Sequence, residues 1–169
     1  MNEIEQKLIM VLYECNQHKI MINNGYNHIK NYLPLTKEKY LNLVLDEVGY
    51  IDQFLFRFSK LQDSMGEKLF STILFLLEED FSKKPFIDIL NRLEKMELLI
   101  RTEWIKLRKI RNDVAHEYSY NIEELVDSLN DIFEVKDNLL NIYDNFYIYC
   151  ENRFDFVKES DILNNSRNI

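Results

Sequence analysis

"LNLVLDEVGYIDQFLFRFSKLQDSMGEKLFSTILFL", residues 41–76, decides how the chain is read. Its apolar residues fall at Leu41, Val44, Val48, Ile51, Leu55, Phe58, Leu61, Met65, Leu69, Ile73 and Leu76, always three or four apart. That is the period of one buried helix face, and no alternation of a strand interrupts it. Thr36, at the end of "LPLT", is the expected N-cap of this long seam. Asp63, Ser64 and Gly66 sit in its middle, where Asp and Ser compete for backbone hydrogen bonds and Gly is a poor helix former, so a kink or short break is expected there.

The same period extends outward in both directions. Toward the N-terminus, Ile4, Leu8, Val11, Leu12 and Cys15 mark a helix over residues 3–22, with a stop expected at Asn24-Gly25 and a shorter helix to Tyr32. Toward the C-terminus, "SKKPF" opens a helix with Pro85 in its first turn, running to about Leu98. Thr102 is then the expected cap of "EWIKLRKIRNDVAHEY", residues 103–118. Asn121, with Glu124 three residues on, starts a last long helix reaching roughly Arg153. The expected fold is all-α, an antiparallel bundle of about five helices over residues 1–153, followed by a polar, frayed tail over 154–169. Only three Gly and two Pro in 169 residues leave little turn chemistry for a many-stranded sheet.

Composition excludes several function classes. No apolar run approaches the roughly 20 residues of a membrane span, and the N-terminus is charged before any apolar run develops, which predicts a soluble, cytoplasmic protein without membrane contact. Cys15 and Cys150 lack the spacing of zinc ligands and read as core thiols. The net charge of −8 opposes indiscriminate nucleic-acid binding, so any such role needs a local basic patch. The aromatic run of the last helix, with Ile142, Phe146 and Tyr149 on one stripe and Tyr143 and Tyr147 beside it, reads as core packing or a subunit contact rather than as a base-stacking platform. "LEED" at 77–80 reads as a solvated helix end rather than a metal site, and His18 and His28 as surface or boundary residues.

The patch is present in one place. Between residues 101 and 111 stand Arg101, Lys106, Arg108, Lys109 and Arg111 against the lone acid Glu103. "RNDVAHEY", residues 111–118, follows at once and adds a histidine suited to proton transfer near neutral pH, while Arg111 offers a planar fork of donors to phosphate oxygens. Together they suffice to cleave a phosphodiester whose nucleophile is the RNA's own 2′-hydroxyl, with no metal and no cofactor. At about 100° per residue, Arg111 and His116 lie some 140° apart on a straight helix, while Asn112 and His116 share a face. Two copies meeting across a two-fold axis pool these groups and supply both a general base and a general acid.

"RNDVAH" resembles the R-x4-6-H signature of HEPN domains, small helical proteins that include many metal-independent ribonucleases. With Tyr118, "RNDVAHEY" is similar to the R-x4-H-x-Y motif of HEPN toxins paired with minimal nucleotidyltransferase antitoxins, and "FLFRFSKLQDSMGEKLF", residues 54–70, is similar to the second helix of bacterial HEPN-like proteins encoded beside nucleotidyltransferases. The resemblance implies a homodimeric endoribonuclease toxin with Arg111 as phosphate binder, His116 as general acid/base and Asn112 as orienting group. Lys106, Arg108 and Lys109 would contact RNA, and the partner enzyme would attach AMP to Tyr118, with Tyr120 as competitor. The alternative it implies is a non-catalytic module acting as antitoxin or substrate-binding partner of the nucleotidyltransferase.

Overall fold

The computed structural model describes residues 1–116 and 121–166, with the side chain of His116 excepted. The described residues form helices and no strand: α1 (Glu3–Ile29), α2 (Lys37–Leu41), α3 (Leu45–Ser64), a π-helical segment (Met65–Leu69), α4 (Phe70–Leu76), α5 (Phe86–Lys95), α6 (Arg101–His116), α7 (Ile122–Glu134), α8 (Lys136–Arg153), α9 (Asp155–Lys158) and α10 (Asp161–Ser166). None of these is long and apolar enough to cross a membrane. The all-α class stands, built from more and shorter helices than the sequence pattern suggested.

Helix α1 forms the central spine. Asn2 caps it, accepting from Glu5 N–H while Glu5 accepts from Asn2 N–H, and it then runs unbroken through Asn24-Gly25. The expected stop is absent because Gly25 serves packing. A Cβ there would lie 2.8 Å from the Tyr50 carbonyl oxygen and 3.2 Å from the Phe54 nitrogen, so only a glycine lets α3 come this close. Helix α3 lies antiparallel to α1, with Gly25 against Tyr50 and Phe54 at one end and Glu14 against Ser64 at the other. Helix α8 is also antiparallel to α1, through Lys136 to Asn23 and Lys19 to Asp144. Leu8, Leu12, Cys15, Phe54, Phe58, Leu61, Phe70 and Phe146 fill the core between them.

Four sequence expectations shift. Thr36 does cap a helix, accepting from Lys39 N–H, but that helix is the five-residue α2, and the chain restarts at Leu45. The first seam residues, Leu41 and Val44, are consequently exposed, and burial begins at Ile51. The helix expected from Asn121 to Arg153 breaks at Val135; Asn121 caps α7 as anticipated, accepting from the N–H groups of Glu123 and Glu124. The segment after Arg153 carries α9 and α10, whose Val157, Leu163 and Ser166 are buried. His18 is buried too, its ring nitrogen 3.2 Å from an Arg57 guanidinium nitrogen.

The break expected around Gly66 takes the form of a π turn. Phe70 N–H reaches back five residues to the Met65 carbonyl, and the helix continues into α4 without a loop. Both cysteines are buried and free. Tyr143 and Phe146 are core residues, as the aromatic stripe predicted.

Candidate functional site

Helix α6 carries the motif, and its start is set by its neighbour. Glu94 of α5 accepts from Arg101 N–H at 2.8 Å and Asn91 accepts from the Arg101 guanidinium at 2.7 Å, so α6 begins one residue before the expected cap Thr102. The chain reverses between α5 and α6 at Glu97, a left-handed residue with φ of 60°. Trp104, Leu107 and Val114 face the core. Arg111 occupies the same stripe, seven residues past Trp104 and three before Val114.

Arg111 is therefore directed inward. Its side chain is 17% exposed, and its guanidinium ion-pairs with the Asp63 carboxylate near the end of α3. Two of its nitrogens also lie 3.2 and 3.3 Å from Asn112 Oδ1. Asn112 itself is exposed, on the face of α6 that carries Arg108 and Lys109. Lys109 pairs with Asp113 at 2.6 Å, one turn on, and the contact holds its ammonium above its ordinary pKa. The Arg108 guanidinium lies 5.8 Å from the centroid of the Phe86 ring. Lys106 is exposed on the same helix.

Two hollows flank the Arg108–Phe86 pair. The outer one, about 460 Å³, is a groove between α5 and α6 lined by Ile87, Leu90, Ile105, Lys109, Asn112 and Asp113. The inner one, about 260 Å³, is a cleft between α6 and the π segment, lined by Gln62, Asp63, Gly66, Glu67, Trp104 and Arg111. Phe86, Trp104 and Arg108 border both. Arg111 thus opens on the inner cleft while Asn112 opens on the outer groove.

Of the residues singled out in the sequence, Arg111 and Asn112 are brought into contact, and Arg108 and Lys109 stand beside them. His116 is the last residue of α6, with a side chain outside the described set; Tyr118 and Tyr120 lie outside the described residues altogether. The sequence reading missed Asp63, Gln62, Phe86 and Trp104. That Arg111 needs an acid partner was legible, because the spacing Trp104–Leu107–Arg111–Val114 turns it toward the core; that the acid is Asp63 was not. Among the described residues no group of three His, Cys, Asp or Glu side chains could hold a metal ion. Glu79 of the "LEED" run is held by both Arg92 nitrogens at 2.6 and 2.7 Å, which keeps its carboxyl below the usual range.

No family model matches the chain, and neither a curated protein nor a solved structure matches it.

Proposed function

We propose that the chain is a metal-independent endoribonuclease of the HEPN type, acting as the toxin of a toxin–antitoxin pair, and working as a homodimer. The observation that supports this best is the contact between Arg111 and Asn112 beside the cationic groove of Arg108 and Lys109, on the helix that ends at His116. Arg111 would neutralise the charge that grows on the phosphate oxygens as the 2′-oxygen attacks phosphorus. His116 accepts the 2′-hydroxyl proton, and His116 of the second copy gives a proton to the departing 5′-oxygen as the P–O5′ bond breaks. The products are a 2′,3′-cyclic phosphate and a 5′-hydroxyl. Asp63 is a positioning residue in this scheme, holding Arg111 at the cleft until phosphate competes for it.

The test is RNA cleavage by the purified protein in the presence of a chelator, with analysis of the new ends. Cyclic phosphate ends that disappear in His116→Ala support the mechanism; activity that survives His116→Ala, or is lost with chelator, overturns it. A mass equal to one chain at micromolar concentration overturns the paired site.

A second reading is favoured by one contact. Arg111 already has an acid partner in Asp63, which suits a non-catalytic module that binds a nucleotidyltransferase-type partner as its antitoxin or substrate-binding subunit. Growth arrest on expression of this chain alone, removed by His116→Ala, selects the toxin. On the toxin reading the partner enzyme would attach AMP to Tyr118, with Tyr120 as competitor, and peptide mass mapping after co-expression reads that directly.

A further inference from the structure

The inner cleft contains buried polar groups that the fold leaves unused. Gln62 is 2% exposed, and among the described residues neither its amide nitrogen nor its carbonyl oxygen has a hydrogen-bond partner; Trp104 is 1% exposed, and its indole N–H has none there either. Leaving such groups unpaired costs about 1–3 kcal/mol each, and an apolar side chain would fill either place without that cost. The two come from different helices, α3 and α6, and both line the same cleft. Their unpaired atoms are sealed from solvent behind the lining, so a ligand that supplies the complement reaches them only once the lining side chains shift.

Its charge and shape narrow the ligand class. Arg111 is paired with Asp63, and Arg108 and Glu67 balance in formal charge, so the lining is neutral until a phosphate displaces Asp63 from Arg111. Its aromatic walls are Phe86 and Trp104, and both rings approach Gly66, with ring carbons 3.4–3.6 Å from where its Cβ would stand. About 260 Å³ lies below the roughly 300–1,000 Å³ of pockets for drug-sized molecules, which suits one planar ring system. The outer groove shares Arg108 with the cleft and adds Lys109 paired with Asp113, so its one surplus positive charge is the shared Arg108.

We propose that the inner cleft receives one unpaired nucleobase of the RNA, its Watson–Crick edge meeting the Gln62 carboxamide and the Trp104 N–H, while the adjoining phosphate lies along the outer groove. A carboxamide sets a donor and an acceptor side by side, as the edge of each base does, and aromatic walls with an arginine plane are the usual surroundings of a splayed base. The Phe86 ring and the Arg108 side chain move aside to admit the base and then cover it. The assignment rests on the RNA reading of the preceding subsection and names the part of the substrate that the site holds.

Trp104 is the protein's only tryptophan and borders both hollows, so its fluorescence reports on either, and ribose 5-phosphate separates a response to phosphate in the groove from a response to a base in the cleft. Uridine and adenosine 5′-monophosphates, titrated into the full-length protein, are expected to change that fluorescence saturably, whereas ribose 5-phosphate is not. Gln62→Met, which keeps the side-chain length and removes both polar atoms, is expected to weaken the nucleotides by about tenfold or more. Gln62→Leu and the shift of melting temperature by nucleotide provide the same comparison if Gln62→Met folds poorly. An equal response to ribose 5-phosphate, no response to any nucleotide, or unchanged affinity in a folded Gln62 variant overturns the proposal. Cleavage with no nucleotide response sinks the base pocket alone, and nucleotide binding without any cleavage sinks the nuclease reading alone.

Discussion

Two buried polar clusters lie on opposite sides of this bundle, and they are built differently. Between α1, α8 and α10, Asn16 donates to Ser166 Oγ at 3.1 Å, Ser166 donates to the Leu163 carbonyl at 2.8 Å, and Tyr143 donates to Asn16 Oδ1 at 2.6 Å. Burial pushes the Tyr143 phenol up, so it stays protonated and keeps donating. Between α3, α5 and α6, by contrast, the Gln62 amide and the Trp104 indole have no hydrogen-bond partner among the described residues. The glycines follow the same division. Gly25 lets α1 and α3 meet at distances that a Cβ would violate, whereas a Cβ at Gly66 would meet Trp104 at 3.4 Å, an ordinary contact. The α1–α8–α10 cluster is closed by its own hydrogen bonds, although Gln17 Nε2 and His18 Nε2 elsewhere on α1 also lack a hydrogen-bond partner among the described residues; the cleft is close-packed in its apolar parts and unpaired in its polar ones. Polar satisfaction, more than burial, separates the part of a fold that supports from the part that receives.

The comparison is most exposed to Tyr143→Phe. Removing the hydroxyl leaves Asn16 Oδ1 buried without its donor, and a loss of about 2 kcal/mol is expected in chemical denaturation. A loss within error would mean that the α1–α8 cluster is no more committed than the cleft. Gly25→Ala comes next. Overpacking against backbone costs about 1–3 kcal/mol and the gain in helix propensity returns up to about 1, so a net loss of about 1 kcal/mol is expected, with Gly66→Ala as the milder control. Gln62→Met is expected to move the other way, raising stability by about 0.5–1 kcal/mol, and a loss as large as that of Tyr143→Phe would erase the distinction.

Smaller effects sharpen it. Glu97 adopts φ of 60° where α5 ends, so Glu97→Gly is expected to gain a few tenths of a kcal/mol, read as a rise in melting temperature. His18 tests the supporting side by pH. Burial, then the Arg57 guanidinium, and to a lesser degree Lys60, hold its pKa below the ordinary value, against the opposing pull of Glu14. The unfolded chain therefore takes up a proton before the folded one does as pH falls through about 6.5, and stability declines with it. Ser64 and Lys68 hydrogen-bond Glu14 and hold its carboxyl low, which adds a loss of the same sign at more acid pH. Denaturation curves across that range should steepen the contrast in the wild type and flatten in His18→Gln; an unchanged slope would place His18 outside the effect.

Helical class, the Asn121 cap, the core role of Tyr143 and Phe146, and a disturbance near Gly66 were all legible, because they depend on local chemistry and on a period that repeats. The length of α1 was not, since Asn24-Gly25 has the composition of a stop and only the approach of α3 shows why a glycine stands inside a helix. The break at Val135 was hidden for the converse reason, with apolar spacing that continues across it and no breaker residue to mark it. In the candidate site, Arg111 and Asn112 were found by type and spacing. Asp63, Gln62 and Trp104 were not, because their meaning depends on which helix faces which, and a periodicity carries no partner information.

The π segment has a consequence for phase. Leu61, Met65, Leu69 and Ile73 are all buried, yet they follow one another at intervals of four, which on an ordinary α-helix would rotate each step by about 40° and carry Ile73 about 120° away from Leu61. A turn wound at about 4.4 residues instead of 3.6 takes up most of that drift. The helix holds in effect one surplus residue, stored between the two walls of the cleft: Gln62 and Asp63 precede it, and Gly66 and Glu67 lie within it. Deleting a residue here would rewind the turn and swing one wall past the other, so the aperture between α3 and α6 is gauged by how a single turn of helix is wound.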